Sequence, residues 1–303
     1  MTIKQKQLCG LLSGHKIEYS ENEPMSAHTT FRIGGAATVF AVPDTEDKLR
    51  LAVDACRIAE TPYIVLGRGS NVLFDDSGYK GAVISTEKLS VMTVSGNDIT
   101  CGCGASFTQT AVIARDNSLT GLEFAYGIPG SVGGAVFMNA GAYGGEVSQV
   151  LLESTYYDPN DGKIHTINNS EHNYGYRESI YRDHPERVIL SARFRLESAD
   201  KNEIKQKMDG YMESRKAKQP LEYPSAGSVF KRCQGHFTGQ MIEELGLKGF
   251  TVGGAQVSEK HAGFIINRGG ATSADVLKLI DIIKEKVRDG YGLDLQCEVI
   301  HIK

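Results

Sequence analysis

The feature that most constrains this chain is a long glycine-rich segment without charge. Residues 127–145, "GIPGSVGGAVFMNAGAYGG", contain seven glycines and one proline but no Asp, Glu, Lys or Arg. Glycine allows positive φ angles and lets a ligand or another backbone segment approach closely. Unencumbered N–H groups also form anion sites, above all at helix N-termini. The segment therefore predicts either a tightly packed turn region or a backbone site for a phosphate-bearing molecule.

A second glycine turn favours the phosphate interpretation. "GRGSN", residues 67–71, directly follows Tyr63–Leu66, an apolar run typical of a short strand. No lysine follows the glycines of 127–134, so the phosphate loop of nucleotide triphosphatases is excluded. Val72 occupies the sixth position of the dinucleotide fingerprint, which excludes that motif too. Either turn alone could equally serve packing, whereas two such turns favour a neutral site for a pyrophosphate beside an apolar ring.

Composition narrows the class of protein. The 303 residues suffice for two or three domains, and 33 Lys and Arg against 37 Asp and Glu exclude the basic excess of nucleic-acid or membrane-surface binders. The N-terminus has no signal-like apolar region and no later run approaches membrane-spanning length, so we expect a cytoplasmic protein. The six cysteines lack metal-ligand spacing, which predicts small buried side chains and no metal.

Local patterns predict an α+β chain. Asp44 is the expected N-cap of a helix over 45–59, and alternation predicts a half-buried strand over 187–196. Thr272 and Asp275 are spaced as a capping box. The other expected elements are hairpins over 91–103 and 151–167, a helix over 106–116, a charged helix after Asp200, a short helix ending near 249 and a C-terminal strand. The change in character near residue 200 predicts a domain boundary there.

Six motifs occur in order along nearly the whole chain. They are "HTTFRIGG" (28–35), "GRGSN" (67–71), "GLEFAYGIPGSVGGAVFMNAGAYG" (121–144), "YRES" (176–179), "AGSVFK" (226–231) and "CEV" (297–299). Together they closely resemble the UDP-N-acetylenolpyruvoylglucosamine reductase family, flavoenzymes of the muramic acid branch of peptidoglycan synthesis. The short segment between "YRESIY" and residue 188 resembles the type II form.

The resemblance implies an organisation and a set of ligands. It implies an FAD-binding fold of the vanillyl-alcohol-oxidase-like (PCMH-type) superfamily over 1–200, in two subdomains that divide near residue 85. A smaller α+β substrate-binding domain over 201–292 follows, and a strand in 293–303 is expected to return to the FAD portion. NADPH is the implied co-substrate and a UDP-sugar the substrate, with a monomer expected and an oligomer left open. FAD is expected to be dissociable, although some relatives in the superfamily attach it covalently through a histidine, for which His28 is the candidate.

The resemblance also places the cofactor in the two glycine segments. The implied FAD-binding residues are Gly67, Arg68, Gly69, Ser70, Asn71, Ile128, Pro129, Gly130, Ser131, Gly133, Gly134, Asn139 and Ala142.

The implied reaction is the reduction of an enolpyruvyl ether, which needs a cation for the developing enolate-like charge and an acid for the α-carbon. The resemblance assigns the cation to Arg177, the proton to Ser228 and a supporting role to Glu298. From the residues alone, Arg177 would be a surface arginine and Ser228 a turn residue. Two-residue alternation would place Glu298 on the face of the apolar Ile300, where a carboxylate either serves a site or reaches solvent.

The remaining implied substrate contacts are less specific. Lys218 and Lys231 are candidates for the diphosphate, and Tyr176 and His261 for the lining of the substrate pocket, although each is also an ordinary structural residue type. The family often has Asn-Pro after "GSxFK", whereas Arg232-Cys233 stand here. This departure puts the usual asparagine contact in doubt, and Arg232 could supply charge instead.

Two rival functions stay open. One is a flavin oxidase of the same superfamily that passes electrons to oxygen. The other is a nucleotide-sugar-binding regulator without activity. The presence of Arg177, Ser228 and Glu298 speaks against both.

Overall fold

The computed structural model describes residues 2–233 and 235–303, which form two compact units. Unit 1 contains the chain up to Glu21, Val39–Arg68 and Gly81–Ser214. Unit 2 contains Asn22–Thr38, Gly69–Lys80 and Arg215–Lys303. The units are thus interleaved in sequence, and the later break between them falls between Ser214 and Arg215. The ligand-binding ranges predicted above stay a prediction.

Helices and runs of strands occur throughout the described residues. The helices are α1 Ile3–Gly14, α2 Glu46–Ile58, α3 Phe107–Asp116, α4 Val132–Phe137, α5 Ile180–Asp183, α6 Lys201–Lys218, α7 Thr238–Glu244 and α8 Ser273–Tyr291. The strands are β1 Glu18–Pro24, β2 Ala36–Val42, β3 Tyr63–Leu66, β4 Val72–Phe74, β5 Tyr79–Ser85, β6 Met92–Ser95, β7 Asp98–Gly102, β8 Leu119–Thr120, β9 Gly141–Ala142, β10 Gly145–Glu146, β11 Leu151–Asp158, β12 Lys163–Asn168, β13 Val188–Arg195, β14 Glu197–Ser198, β15 Ser225–Ser228, β16 Thr251–Val252, β17 Ala255–Val257, β18 Phe264–Asn267 and β19 Ile300–Ile302.

Unit 1 is organised around an antiparallel sheet with the order β12-β11-β13-β7-β6. Both predicted hairpins are confirmed, as β6 pairs with β7 and β11 with β12. Their turns are Gly- and Asn-containing sequences that set the register locally. In β13, Val188, Leu190 and Phe194 are buried, as the alternation predicted.

Helix α2 packs an apolar face into the core of unit 1, with Leu49, Val53 and Cys56 buried. The predicted N-cap, Asp44, is wrong by one residue. Thr45 has extended backbone angles, and its side chain accepts a hydrogen bond from the Lys48 N–H at 3.2 Å. The cap must lie three residues before the donor, so Asp44 is left to pair with the Lys48 ammonium at 2.8 Å.

Unit 2 contains an antiparallel sheet with the order β15-β18-β17-β16, against which α8 packs. The capping box of Thr272 and Asp275 at the start of α8 is confirmed. The last strand, β19, pairs in parallel with β4. It begins only at Ile300, so the predicted alternation from Glu298 to Ile300 is wrong. Cys297 instead forms an isolated bridge with Phe230, and the chain bends before it reaches β4.

Four of the six cysteines are buried, in agreement with the prediction that most of them are small buried side chains. All six thiols are free, and burial raises the pKa of Cys56, Cys101 and Cys103 to about 12. Among residues 2–233 and 235–303, no cluster of His, Cys, Asp or Glu is arranged to hold a metal ion. No helix in those ranges has the length and apolar character needed to span a bilayer.

Candidate active site

The two predicted glycine turns meet within unit 1. A β-carbon on Gly67 would lie 2.2 Å from the Ser131 Oγ, so only glycine fits at this approach. Ser131 is buried and caps α4, where its Oγ accepts a hydrogen bond from the Gly134 N–H at 3.2 Å. Gly67 and the start of α4 are therefore in direct contact although they are far apart in sequence, and we call Gly67 and residues 127–145, all in unit 1, the glycine wall.

The N–H groups at the start of α4 are engaged within the chain. Val132 donates to the Ala105 carbonyl and Gly133 to the Cys103 carbonyl, each at 2.8 Å. A β-carbon on Gly133 would lie 3.0 Å from the Cys103 β-carbon. These glycines thus allow close packing, and their N–H groups are not the open anion donors that the sequence predicted. Whether Gly133 and Gly134 contact FAD in another way stays a prediction.

The start of the glycine segment is tied to α3. The Thr108 hydroxyl donates to the Ile128 carbonyl at 2.9 Å and accepts from the Gly127 N–H at 3.2 Å. Phe107 donates to the Gly130 carbonyl at 3.0 Å. These contacts fix the loop and leave Pro129 exposed at its tip.

Arg177 lies at a strained position in a tight turn. Gly175 and Glu178 exchange both backbone hydrogen bonds at 3.2 Å, so Tyr176 and Arg177 are the central residues. Arg177 has a φ of 59°, a left-handed conformation that usually requires Gly or Asn. For a long side chain this conformation costs about 1–2 kcal/mol. Strain of this kind concentrates at functional sites, which favours a functional arginine over an ordinary surface residue.

The guanidinium of Arg177 contacts the far end of the glycine segment. Its Nη1 donates to the Asn139 carbonyl at 3.4 Å and its Nη2 to the Gly141 carbonyl at 3.3 Å. The Tyr176 ring centroid lies 5.2 Å from its Cζ. The segment predicted to hold a cofactor therefore also orients the predicted catalytic cation, a link that sequence spacing did not reveal.

Ser228 and Glu298 lie on adjoining backbone segments of unit 2. The Glu298 N–H donates to the Val229 carbonyl at 2.7 Å, and Val229 donates to the Gly263 carbonyl at 2.9 Å. Ser228 ends β15 and pairs with Phe264. Both Ser228 and Glu298 are half-buried. The structure therefore brings together the backbone segments that carry Ser228 and Glu298, which are seventy positions apart in the sequence.

The turn at Gly69–Asn71 packs beside the same carboxylate segment. The Asn71 amide donates to the Glu298 carbonyl at 3.1 Å, and the Ile300 N–H donates to the Asn71 carbonyl at 3.0 Å. Thr30 joins this turn to β15, since its N–H donates to the Gly69 carbonyl and its hydroxyl to the Ser225 carbonyl at 2.7 Å. This clamp gives the "HTTFRIGG" segment a structural role within unit 2.

Comparison with known proteins gives these features a common context. Residues 37–168 match the family model of an FAD binding domain, and residues 219–302 match that of the UDP-N-acetylenolpyruvoylglucosamine reductase C-terminal domain. The UDP-N-acetylenolpyruvoylglucosamine reductase of Pediococcus pentosaceus is 45% identical over 284 residues, covering 94% of each chain. The relative of that name from Clostridium novyi is 46% identical over 94% of this chain and 92% of its own.

The crystal structure of UDP-N-acetylenolpyruvylglucosamine reductase from Thermus caldophilus is similar with a TM-score of 0.81, at 33% identity over 95% of this chain and 99% of that chain. This chain belongs to the UDP-N-acetylenolpyruvoylglucosamine reductase family. As a member of the family it is an FAD-dependent oxidoreductase, and the predicted α+β fold with an FAD-binding domain is confirmed.

The glycine wall of this reductase-family chain suits FAD. Gly67 and residues 127–145 carry no charged side chain except Glu146's neighbours outside the range, and Arg68, which follows Gly67, is exposed. A neutral wall matches an uncharged isoalloxazine ring, while one arginine can serve a phosphate. The contacts implied for Ser70 and Ala142, which are both half-buried, remain predictions about the bound state.

Gly67 provides a direct test of the wall. We expect Gly67→Val to lower FAD affinity at least 10-fold, because its side chain would displace Ser131 from the cap of α4. Gly210→Ala in α6, where a β-carbon meets open space, is the matched control and should leave FAD binding unchanged. Fluorescence titration of the apoprotein with FAD measures both, and equal affinities in the two variants would assign Gly67 to a tolerant turn.

The other implied substrate residues are distributed between the units. Tyr176 belongs to unit 1 and is 42% exposed, whereas Lys218, Lys231 and His261 belong to unit 2. Burial lowers the pKa of His261, and its Nδ1 accepts a hydrogen bond from the Gly263 N–H at 3.1 Å. His261 is thus neutral near pH 7, with its proton on Nε2. Lys218 is exposed at the end of α6, and Lys231 is half-buried.

Sequence reasoning missed a buried polar chain at the base of the Arg177 loop. His172 Nδ1 donates to the Asn168 carbonyl at 2.9 Å, so its Nε2 accepts from the Ser154 hydroxyl at 2.7 Å. Tyr181 then donates to the Ser154 Oγ at 2.6 Å. All three side chains are buried, and the chain joins both ends of the segment that carries Arg177. No sequence signal marked it, because Ser154 stands in β11 between Glu153 and Thr155, where a serine is an ordinary strand residue.

The hydrogen-bonded chain of His172, Ser154 and Tyr181 makes the stability of the folded protein depend on pH. Burial lowers the pKa of His172, so the unfolded state binds its proton first as pH falls. The contribution of neutral His172 is fully present above about pH 6.5 and is lost progressively below it. We expect the free energy of unfolding to fall less steeply from pH 7.5 to 5.5 in His172→Gln than in the parent. Urea unfolding measures both slopes, and equal slopes would contradict a neutral, buried His172.

Proposed function

We propose that this protein catalyses the NADPH-dependent reduction of UDP-N-acetylglucosamine enolpyruvate to UDP-N-acetylmuramate, in cytoplasmic peptidoglycan precursor synthesis. The observation that supports the proposal is the 2.7 Å hydrogen bond from Glu298 N–H to the Val229 carbonyl, which joins the backbone segments that carry Glu298 and Ser228. The relatives named above support the same substrate class.

Arg177 is proposed to hold the substrate carboxylate. Bound FAD, reduced by NADPH, supplies the hydride for the enolpyruvyl methylene carbon. As that bond forms, the electron pair of the double bond moves onto the carbon that bears the carboxylate. The guanidinium can form a bidentate fork with this group, whose negative charge increases in the transition state. The carbonyls of Asn139 and Gly141 pre-orient the fork.

Ser228 is proposed to deliver the proton that completes the reduction. The hydroxyl donates to the α-carbon, which is far more basic than a serine alkoxide at that stage. Glu298 supports the same region of the substrate, by polarising it or by returning a proton to the serine. The sum is one hydride and one proton added across the carbon–carbon double bond.

Basic side chains of unit 2 are proposed to hold the UDP moiety. Lys218 and Lys231 are the candidates for the diphosphate, and Arg232 supplies charge where the family often has asparagine. Neutral His261 can donate from Nε2 to an uncharged acceptor of the substrate. Tyr176, which is 42% exposed, stays a candidate for the lining of the substrate pocket.

Flavin absorbance tests the proposed function. We expect purified protein to be yellow, to bleach with NADPH without oxygen, and to regain its colour on addition of the enolpyruvyl substrate. Acid precipitation should release the flavin as free FAD. If the flavin colour returned with oxygen but not with the enolpyruvyl substrate, the result would favour the oxidase. If NADPH did not bleach the flavin, the result would favour the inactive regulator.

A further inference from the structure

Asn139 makes three hydrogen bonds, two of which connect the glycine segment to the Arg177 turn. Its side chain is fully buried, with Nδ2 donating to the Gly175 carbonyl at 3.0 Å. Its Oδ1 accepts from the Ser148 N–H at 3.0 Å. Its own backbone carbonyl accepts from Arg177 Nη1 at 3.4 Å. The residue thus contacts both the backbone of the turn and the guanidinium that the turn presents.

The contact with Gly175 falls where the turn closes. The Gly175 carbonyl also accepts the Glu178 N–H at 3.2 Å, so the asparagine amide and the turn itself share one acceptor. Arg177 lies between Gly175 and Glu178 and has a φ of 59°. A strained conformation persists only when its surroundings fix it, and Asn139 fixes the turn at its base.

The chemistry of asparagine matches this position. Asn139 has a φ of 43°, and asparagine tolerates the left-handed region better than other non-glycine residues. Its amide supplies a donor and an acceptor in one short side chain, which the Gly175 carbonyl and the Ser148 N–H require. Aspartate would keep the acceptor and lose the donor, while glycine would keep the backbone and lose both.

We infer that Asn139 is a positioning residue, which holds the turn at 175–178 so that the Arg177 guanidinium meets the substrate carboxylate. The sequence implied that Asn139 contacts FAD, but both polar atoms of its side chain are engaged in these contacts. The inference rests on the proposed function, because Asn139 would affect the reoxidation of the flavin by the enolpyruvyl substrate. Reduction of the flavin by NADPH does not use the carboxylate contact.

Stopped-flow absorbance of Asn139→Ala tests the inference. We expect FAD content and bleaching by NADPH to stay within about twofold of the parent. Reoxidation by the enolpyruvyl substrate should slow by about 10- to 100-fold, the cost of a misplaced reacting group. Asn139→Asp, which retains the contact to Ser148 and loses the one to Gly175, should show most of the same loss even if the alanine variant folds poorly.

Asn169→Ala is the matched control. The Asn169 amide also makes two backbone contacts in unit 1, to the Ser148 carbonyl at 2.7 Å and the Leu151 carbonyl at 2.6 Å, but neither involves the turn. The flavin of Asn169→Ala should be reoxidised by the enolpyruvyl substrate at the parental rate. A loss equal to that of Asn139→Ala would reassign the effect to general stability and overturn the inference.

A double-mutant cycle separates positioning from packing. If Asn139 acts through Arg177, then Asn139→Ala added to Arg177→Ala should slow reoxidation by less than about twofold, whereas independent effects would multiply. Hydrogen exchange of residues 173–180 gives a readout without substrate, and it should accelerate in Asn139→Ala and not in Asn169→Ala. If the parent itself fails to reoxidise, the proposed function falls, and this exchange result alone decides whether Asn139 holds the turn.

Discussion

Ser228→Ala is expected to leave the reduction of FAD by NADPH nearly unchanged and to nearly stop its reoxidation by the enolpyruvyl substrate. Only the second step creates a carbanion that needs a proton, and a positioned acid typically contributes about 10²- to 10⁴-fold. Ser228→Cys should retain more activity than the alanine variant, because a thiol is also an acid. Stopped-flow absorbance resolves the two steps in one experiment.

Ser225→Ala is the matched control for that experiment. Ser225 lies on the same strand, and the contact it makes with the Thr30 hydroxyl uses its backbone carbonyl, which alanine retains. Both steps should run at parental rates in this variant. Parental reoxidation in Ser228→Ala, or a loss of bleaching by NADPH, would refute the role of Ser228 as proton donor.

Arg177→Gly is expected to combine a loss of activity with no loss of stability. Glycine relieves the left-handed strain of about 1–2 kcal/mol, which should offset the lost contacts to the Asn139 and Gly141 carbonyls. Reoxidation by the substrate should fall by about 10²- to 10³-fold, as when one preorganised donor is removed from a transition state. Urea unfolding and stopped-flow absorbance measure the two properties.

Arg177→Lys is the companion variant, since it keeps the charge and the strain but loses the planar fork. Its reoxidation rate should lie between those of the parent and Arg177→Gly. A glycine variant that is less stable by several kcal/mol and still active would show that Arg177 serves the fold rather than the substrate.

Local features of the fold were predictable from sequence because their causes lie within a few residues. The hairpin at Pro159–Gly162 and the capping box of Thr272 and Asp275 each depend on turn or cap chemistry that adjacent side chains supply. The predicted N-cap of α2, Asp44, was wrong by one position, since the adjacent Thr45 caps the helix instead. Helix boundaries are thus set by small differences between adjacent residues that can each cap the helix.

Features that depend on distant partners could not be predicted in this way. The strand expected through Glu298 is cut short by the bridge from Cys297 to Phe230. The N–H of Gly133 is taken by the Cys103 carbonyl, thirty positions earlier. For the site, motif resemblance named Arg177, Ser228 and Glu298, whereas the supporting contacts around them emerged only from the fold.

The parallel pairing of β19 with β4 has a consequence for synthesis of the chain. Residues 72–74 are synthesised well before their partner, Ile300–Ile302. Segments 22–38 and 69–80 therefore cannot complete their packing until the rest of unit 2 has been synthesised. Until then, apolar side chains such as Phe31 and Leu73 lack much of their native core. A nascent chain that stalls before residue 300 would leave this surface exposed.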